Sequence, residues 1–426
     1  MQILRWGELT PTEQQQALAR AQCISDSALT TAVSEILAAV KTQGDQALAD
    51  LSAKFDGGLP AQWLFAPEQF GEIGQQTAPE LQQAIDAALA NIERFHAAQL
   101  AEPMTLEVQA GVRCQLRSEP LQAVGLYVPG GSAPLISTVM MLAKPAQLAG
   151  CAQTVLVTPP PLNPAIAYAA SQCGVSLIAT VGGAQAIAAL AYGTASIPKV
   201  DKIFGPGSRF VTEAKQQVNQ QGTAIDMPAG PSEVLVLADD NANPAFVAAD
   251  LLSQAEHGED SQALLVTDSI ALAEQVAGEV TRQLAQLSRQ AIATEALKQS
   301  RVIVADDLNQ AVAISNAYAP EHLIIQTANS EQLVNQVRAA GSVFVGQWSP
   351  ESVGDYASGT NHVLPTYGAA KTVSSLSLAD FQRRFTVQQL SRQGLLNLAE
   401  TVTTLANAEG LDGHARAVTI RLEAQA

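Results

Sequence analysis

Two hydrophobic patterns divide this chain. Toward the N-terminus, large apolar residues recur every four positions, for example in residues 77–89, and this spacing predicts amphipathic helices. From Leu121 onward, short apolar runs are followed by glycine turns and helix-forming segments. Because parallel strands need crossover connections, the second pattern predicts parallel sheets covered by helices.

The apolar runs form two series, which indicate two sheets. The runs are residues 124–128, 175–181 and 202–204, and then 233–238, 263–267, 301–305, 323–325 and 342–345. We therefore predict an α/β fold with two Rossmann-like parallel-sheet domains, joined near residues 227–232. Ligands in such sheets gather at the carboxyl ends of strands, so we expect site residues there. The predicted division is a mainly helical N-terminal region at 1–117, sheet domains at 118–232 and 233–375, and a short C-terminal helical tail at 376–426.

Composition narrows the class of protein. With 426 residues, 47% of them hydrophobic, the chain can bury two substantial cores. A net charge of -17 argues against a nucleic-acid or anionic-membrane surface. The sequence has neither a secretory pattern nor an apolar stretch long enough to span a bilayer, so we expect a cytoplasmic protein. The four cysteines lack Cys-x-x-Cys spacing and are expected to be reduced packing residues: Cys23, Cys114, Cys151 and Cys173.

Four of the five histidines stand in the second half of the chain, beside carboxylates, amides and glycines. This concentration of imidazole indicates a functional site. Residues 243–258 are predicted to form a helix with Asn243 as its N-cap, so Gln254 and His257 would share one face of its last turn. A protonated His257 that only stabilises the helix C-terminus is the alternative. The fifth histidine, His96, is expected to be structural.

Glu321 and His322 form a second candidate group. They follow Pro320, which discourages a helix, and they precede an apolar run that indicates a buried strand. The pair is therefore expected at a loop-to-strand junction, where it can supply two proton-transfer groups with different pKa values. A solvated polar turn is the alternative.

Residues 350–362 form a third group. Their small and turn-forming residues predict a loop, which carries the carboxylates of Glu351 and Asp355 and the imidazole of His362. Loops held on a rigid scaffold often carry catalytic or metal-binding groups.

A fourth group lies near the C-terminus, where Asp412 is expected to cap a final short helix that contains His414. A solvated or disordered tail is the alternative. Taken together, Gln254, His257, Asp355 and His414 form a nitrogen and oxygen ligand set without thiolate, which suits zinc and related divalent ions.

The glycine turns give a weaker indication of a dinucleotide cofactor. None contains a complete Gly-x-Gly-x-x-Gly motif, and Gly205-Pro-Gly207-Ser208 has two of the three glycines. A parallel-sheet turn that needs a positive φ is the stronger interpretation of this segment.

Six segments, in order and across nearly the whole chain, resemble the histidinol dehydrogenase family. They are Val-Gly-Leu-Tyr-Val-Pro-Gly-Gly at 124–131, Val-Gly-Gly-Ala-Gln-Ala-Ile-Ala-Ala-Leu at 181–190, Asp-Met-Pro-Ala-Gly-Pro-Ser-Glu-Val at 226–234, Asp-Leu-Leu-Ser-Gln-Ala-Glu-His-Gly at 250–258, Ala-Pro-Glu-His-Leu at 319–323 and Glu-Gly-Leu-Asp-Gly-His at 409–414. The resemblance implies a zinc-dependent, NAD-linked, four-electron oxidation of L-histidinol to L-histidine through an enzyme-held aldehyde, at the end of histidine biosynthesis.

The resemblance also assigns roles to individual residues. His322 would be the general base, and Glu321 would activate the water that hydrates the aldehyde. The zinc ligands, which would also contact the substrate, would be Gln254, His257, Asp355 and His414. Further substrate contacts would be Ser232, His322, His362 and Glu409, and the NAD contacts would be Tyr127, Gln185 and Ser208.

Two implications of the resemblance concern Ser208 and the tail. The family commonly has asparagine where this chain has Ser208, and serine offers fewer donors and less reach, so we expect weaker NAD binding with activity retained. The family is an intertwined homodimer, which implies that Glu409 and His414 act in the partner's site.

Three other functions are compatible with the sequence. One is a relative that oxidises another small hydroxy compound, although the presence of both Glu409 and His414 favours histidinol. Another is a zinc hydrolase in which Glu321 or His322 activates metal-bound water. The third is a two-lobed binding protein without catalysis, which leaves the Glu321–His322 pair without a role.

Overall fold

The computed structural model describes residues 1–20, 27–130, 134–227 and 230–424. Cys23, Gly131, Pro228 and Ala229, which belong to predictions above, lie outside these ranges. The chain divides into two compact units. We call residues 1–99 and 121–381 the sheet unit, and residues 100–120 and 382–426 the tail unit.

Most helices and strands belong to the sheet unit. Before residue 100 they are β1 (Gln2–Arg5), α1 (Pro11–Ala17), α2 (Ser27–Gln43), α3 (Asp45–Phe55), β2 (Leu64–Phe65), α4 (Pro67–Gly74) and α5 (Pro79–Ala97). The tail unit then supplies β3 (Met104–Gln109) and β4 (Val112–Pro120).

The sheet unit resumes with the alternation that the sequence predicts. Its elements are β5 (Ala123–Tyr127), α6 (Ile136–Ala149), β6 (Gln153–Val157), α7 (Pro164–Gln172), β7 (Leu177–Ala179), α8 (Gly183–Tyr192), β8 (Lys202–Phe204), α9 (Arg209–Gln220), β9 (Ala224–Ile225), β10 (Glu233–Ala238), α10 (Pro244–Ala255), β11 (Gln262–Thr267), α11 (Ile270–Leu284), α12 (Gln290–Gln299), β12 (Arg301–Val304), α13 (Leu308–Tyr318), β13 (His322–Gln326), α14 (Ser330–Leu333), β14 (Ser342–Val345) and α15 (Glu351–Tyr356). The tail unit ends the chain with β15 (Gln382–Leu390), α16 (Arg392–Ala408) and α17 (Asp412–Glu423).

The first sheet has the strand order β2-β7-β6-β5-β8-β9, and every pair is parallel except β2 with β7. Its strands bury side chains on both faces, because α5, α6 and α7 cover one side and α2, α8 and α9 cover the other. The short strand β2 comes from the N-terminal region, for which the sequence predicts helices.

The second sheet has the order β1-β12-β11-β10-β13-β14 and is parallel throughout. All residues of β10, β11 and β13 are buried, which explains their continuous apolar runs. The N-terminal strand β1 completes one edge by pairing with β12, and the sequence analysis does not anticipate it. Together the two sheets confirm the prediction of an α/β fold with two parallel-sheet regions.

The tail unit is built differently. Strands β15, β4 and β3 form an antiparallel sheet in that order, followed by the helices α16 and α17. The segment predicted as a helical tail therefore contains a nine-residue strand before its two helices. Asp412 is the first residue of α17 and Leu411 precedes it as the N-cap, so the prediction that Asp412 caps this helix is wrong.

Two further expectations can be compared with the structure. In the described parts of the chain, no helix is long and apolar enough to cross a membrane. Cys114, Cys151 and Cys173 are free thiols, and burial raises the pKa of Cys173 to about 12. Such a thiol is rarely a thiolate at neutral pH, which agrees with a packing role.

Candidate functional site

Glu321 and His322 lie where β13 begins, and both side chains are buried. His322 pairs with Val234 of β10 and with Ser342 of β14, so its position is fixed by two neighbouring strands. The predicted loop-to-strand junction is confirmed, and the alternative of a solvated turn is wrong. The pair stands at the amino end of a strand, whereas ligands of open α/β sheets commonly gather at the carboxyl ends.

The main chain of Glu233 contacts both side chains. Its N–H donates a hydrogen bond of 2.8 Å to Oε2 of Glu321, and its carbonyl oxygen lies 3.1 Å from Nδ1 of His322. A carbonyl can only accept, so this contact places a proton on Nδ1. In the neutral ring, Nε2 then carries the free lone pair and can act as a base.

Carboxylates surround the imidazole of His322. Nδ1 lies 3.7 Å from Glu321 and 3.8 Å from Glu351, and Nε2 lies 3.6 Å from Oδ1 of Asp355. Burial alone would lower the pKa of His322, but the charges of Glu351 and Glu321 outweigh burial and raise it to about 10. The charge of a divalent cation at this place acts in the opposite direction and favours the neutral ring.

The carboxyl groups around His322 have pKa values that are shifted in different directions. Burial raises the pKa of Glu321 to about 7 and that of Glu351 to about 8, with His322 opposing both shifts. Burial also acts to raise the pKa of Asp355, but the neighbouring His322 outweighs it and lowers the pKa. Groups with such separated pKa values in one cavity are typical of acid–base chemistry.

Helix α10 brings Gln254 to the same region. It begins as predicted, since the side chain of Asn243 accepts a hydrogen bond of 2.9 Å from the N–H of Ala245. It ends at Ala255, however, so His257 lies two residues beyond the helix and does not share a face of its last turn with Gln254. Although the surface of His257 is exposed, the surrounding protein lowers its pKa by reducing hydration, and the charge of Asp355 opposes this shift.

Glu351 and Asp355 lie on α15, a short helix where the sequence analysis predicts a loop. The spacing of four places both carboxylates on one side of the helix. One ligand atom from each of His257, Glu351 and Asp355 lies within 4.8 Å of the others. We call these three residues the donor cluster.

The donor cluster and Gln254 fit a divalent metal ion. Gln254 is fully buried, yet neither its amide oxygen nor its amide nitrogen has a hydrogen-bond partner in the described protein, and the same holds for Oε2 of Glu351. Buried polar atoms are rarely left unpaired unless a ligand satisfies them. Oxygen and imidazole donors without thiolate suit zinc.

One predicted substrate contact, His362, borders the donor cluster, and another, Ser232, lies beside Glu233 in the chain. Nδ1 of His362 contacts the carbonyl oxygen of Asp355 at 3.0 Å, and its Nε2 lies 3.5 Å from the hydroxyl of Thr138 on α6. Ser232 is half-buried and immediately precedes Glu233, whose main chain contacts Glu321 and His322. By contrast, Glu409 and His414 belong to the tail unit and are exposed there.

Two of the residues that the resemblance assigns to NAD meet at the first sheet. Tyr127 ends β5, and its hydroxyl accepts a hydrogen bond of 3.2 Å from the N–H of Gly183, at the start of α8. Gln185 is buried in the first turn of the same helix and donates to Asp56 at 3.2 Å. These groups surround a helix N-terminus, which favours anionic ligands such as phosphates.

Ser208 is the N-cap of α9 and is exposed, without a side-chain capping hydrogen bond. The turn before it has a positive φ of 118° at Gly205, as the sequence predicts. A Cβ at that position would collide with the carbonyl oxygen of Tyr127, so only glycine allows this close approach. The turn is thereby held beside the residue that ends β5.

Glu233 extends the site beyond the residues selected from the sequence, and Glu351, which the third candidate group contains without an assigned role, belongs to the donor cluster. The spacing of four between Glu351 and Asp355 indicates one side of a helix. This spacing was not used, because the segment was predicted to be a loop. Glu233 lies within an apolar run, and only strand pairing reveals its contacts with Glu321 and His322.

The fold and the site together define a class: a two-sheet α/β enzyme with a buried acid–imidazole pair beside a cluster of metal-binding type. The histidinol dehydrogenase family model matches residues 19–422. Histidinol dehydrogenase from Shewanella oneidensis is 58% identical, over 99% of this chain and 99% of that relative. Histidinol dehydrogenase from Salmonella typhimurium is 57% identical, over 99% of this chain and 98% of that relative. The crystal structure of histidinol dehydrogenase from Elizabethkingia anophelis has a TM-score of 0.96 at 45% identity and covers 99% of this chain and 98% of its own. This chain belongs to the histidinol dehydrogenase family.

Proposed function

We propose that the chain oxidises L-histidinol to L-histidine in two NAD-linked steps, with histidinaldehyde held between them, as the last reaction of histidine biosynthesis. The observation that carries this proposal is the buried Glu321–His322 pair against Asp355 of the donor cluster, in a member of this family. A cytoplasmic location is part of the proposal, since it suits a biosynthetic enzyme.

Gln254, His257 and Asp355 are proposed as zinc ligands, with His414 as the fourth. The unpartnered amide of Gln254 and the close approach of His257 to Asp355 support the first three. When bound, zinc supplies a Lewis-acidic anchor that orients the amine and imidazole nitrogens of the substrate.

His322 is proposed as the general base of both oxidations. With its Nδ1 proton held by the carbonyl of Glu233, Nε2 takes the proton from the hydroxyl oxygen of the alcohol, while hydride leaves the carbon that bears this oxygen and the C=O bond forms. In the second oxidation Nε2 takes a proton from the hydrated aldehyde in the same way. NAD supplies the hydride acceptor, and Tyr127, Gln185 and Ser208 are proposed to bind it.

Glu321 is proposed to activate the water that hydrates the aldehyde. A buried carboxyl with a pKa of about 7 is partly ionised at neutral pH and can take a proton from water as the oxygen adds to the carbonyl carbon. Ser232, His362 and Glu409 complete the proposal as substrate contacts. Glu409 can accept a hydrogen bond from a donor nitrogen of the substrate.

The proposed reaction is tested by its NADH yield. Purified protein loaded with zinc should form two NADH for each L-histidinol consumed, measured by absorbance and by histidine analysis. One NADH with release of the aldehyde would contradict the second step. No NADH at all would contradict the redox function and favour a hydrolase.

We further propose a homodimer in which Glu409 and His414 of each tail unit complete the partner's site. The tail unit exposes large apolar side chains on its sheet and on its helices: Met104, Leu106, Val108, Leu390, Leu396, Leu405, Leu411 and Ile420. Apolar exposure of this extent is typical of a surface that another chain covers.

Mixing two inactive variants tests this exchange. If tails are exchanged, a dimer of one His322→Asn chain and one His414→Asn chain contains one site with both defects and one intact site. Random reassortment should then restore roughly a quarter of the wild-type activity, because half of the dimers are mixed. If each chain uses its own tail, the mixture stays inactive and the exchange is refuted.

A further inference from the structure

Glu233 connects the catalytic pair to a buried ionic contact. Its peptide N–H and carbonyl oxygen bond Glu321 and His322, as described above. The carboxylate of Glu233 is buried, and it accepts hydrogen bonds from Nε and Nη2 of Arg20, the latter at 2.9 Å, and from the N–H of Tyr367 at 3.0 Å. The side chain of Glu233 is thus held from two directions while its main chain orients two reacting groups.

Arg20 also holds the segment that leads into the catalytic pair. Its Nη2 donates to the carbonyl oxygens of Tyr318 at 2.8 Å and Ala319 at 3.2 Å, and its guanidinium lies 3.9 Å from the centre of the Tyr318 ring. Arg20 therefore ties Glu233 on β10 to the residues just before Glu321 and His322 on β13. One planar group fixes both strands whose starts form the site.

The backbone at these contacts is unusual. Among the described residues that are not glycine, Ala319 and Tyr367 have a positive φ, of 55° and 56°. An L-residue in this region costs free energy and persists when its surroundings hold it. Ala319 is held by Arg20, and Tyr367 donates to the carboxylate that Arg20 binds. Both positive-φ residues thus contact the same ionic pair.

We propose that Arg20 is a positioning residue for this reaction: through Glu233 and the carbonyls of residues 318 and 319 it sets the orientation of Glu321 and His322. The proposal rests on the proposed roles of that pair. The planar guanidinium has several donors in fixed directions, so it can donate to one carboxylate and two carbonyl oxygens at once. A positive charge without this geometry does not replace it.

The chain offers a conservative variant and a matched control. Arg20→Lys keeps the charge but loses the fork. Arg301→Lys is the control, because Arg301 contacts the same N-terminal segment, at 3.4 Å from the carbonyl of Ala19, and forms no hydrogen bond with Glu233 within the described part of the chain. Glu233→Gln is the second variant, which retains the peptide groups that bond the pair.

The expected result is a separation of kcat from KM. In Arg20→Lys, kcat for histidinol oxidation should fall ~10–100-fold, the usual range for residues that orient reacting groups. The KM values for histidinol and NAD, the zinc content and the melting temperature should stay close to those of Arg301→Lys. Glu233→Gln should lower kcat in the same direction, and the double variant should be no slower than the slower single variant.

Several results would overturn the proposal. One is a kcat for Arg20→Lys equal to that of Arg301→Lys. Others are a loss of kcat matched by an equal rise in KM, or effects of Arg20→Lys and Glu233→Gln that multiply in the double variant. His322→Asn, measured in parallel, separates the proposed role of His322 as the base from the proposed positioning role of Arg20. If it retains wild-type activity the proposed base is wrong, whereas a slow His322→Asn beside a fully active Arg20→Lys refutes only the positioning role.

Discussion

The two parallel sheets of the sheet unit share a construction but present their candidate residues at opposite ends of the strands. In the first sheet, Tyr127 ends β5, and the turns after β7 and β8 lead into α8 and α9. In the second sheet, Glu321 and His322 stand where β13 begins, and Gln254 lies near the C-terminus of α10. The first site is therefore formed with helix N-termini, and the second includes a helix C-terminus.

This difference matches the charge of the ligand proposed for each site. Helix N-termini carry partial positive charge and unpaired N–H groups, which suit the phosphates of a dinucleotide. A helix C-terminus carries partial negative charge, and with Glu351 and Asp355 beside it the second site suits a cation. If the proposed ligands bind as assigned, the first sheet follows the rule that ligands bind at carboxyl ends of strands, and the proposed metal site has the opposite geometry.

Removing the proposed general base, His322, should give the largest effect. This effect should be confined to the chemistry assigned to the second sheet. His322→Asn is expected to slow the first oxidation by ~10²–10⁴, the usual scale for loss of a general base. Single-turnover formation of NADH measures it. The KM for NAD should not change, because Tyr127 and Gln185 are untouched. Unchanged rates would remove His322 from this role, and a large rise in the NAD KM would contradict the separation of the two sites.

A smaller and more selective effect is expected at Glu321. Glu321→Gln keeps the shape of the side chain and removes its capacity to accept a proton from water, so aldehyde oxidation should slow by ~10²-fold, at the lower end for general acid–base groups. Alcohol oxidation should change less, because that step is assigned to His322 in the proposed mechanism. Rates are measured separately with histidinol and with histidinaldehyde. Equal losses in both half-reactions would contradict the assignment of Glu321 to water activation.

The strands and helices of the chain differ in how well the sequence predicts them. Strands β10 to β13 follow from continuous apolar runs, because nearly all of their residues are buried, and the run of β14 predicts that strand although its residues are only half-buried. Strands β1 and β15 were missed because the runs Gln-Ile-Leu-Arg and Gln-Arg-Arg-Phe-Thr-Val-Gln-Gln-Leu are polar, and most of their side chains are not buried. Helix α15 was missed because proline, serine and glycine weaken its helical signal.

Contacts between residues that are distant in the sequence are the second reason why the site could not be fully predicted. The candidate residues of the second sheet were identified from short motifs, and their convergence depended on a family resemblance. The contact between Arg20 and Glu233 joins residues 213 positions apart, and no local pattern indicates it. The division of the chain at residues 117, 232 and 375 stays a prediction.

The smallest effect is expected at Ser208, the N-cap of α9, where the family resemblance implies asparagine. Because the serine is exposed and makes no capping hydrogen bond, and because asparagine is an equally good N-cap, Ser208→Asn should leave the stability of α9 unchanged. A new amide donor toward NAD contributes ~0.5–1.5 kcal/mol, so the KM for NAD should fall about 2- to 10-fold.

Steady-state kinetics with Ser208→Ala as the matched control measures this effect. The KM for histidinol and the kcat should be the same in all three proteins, since the residue lies on the first sheet and the chemistry is assigned to the second. If the asparagine and alanine variants both keep the wild-type KM for NAD, then Ser208 does not contact the cofactor. A change confined to kcat would instead mean that the turn at Gly205 influences the catalytic pair, and the two sheets could no longer be treated as separate sites.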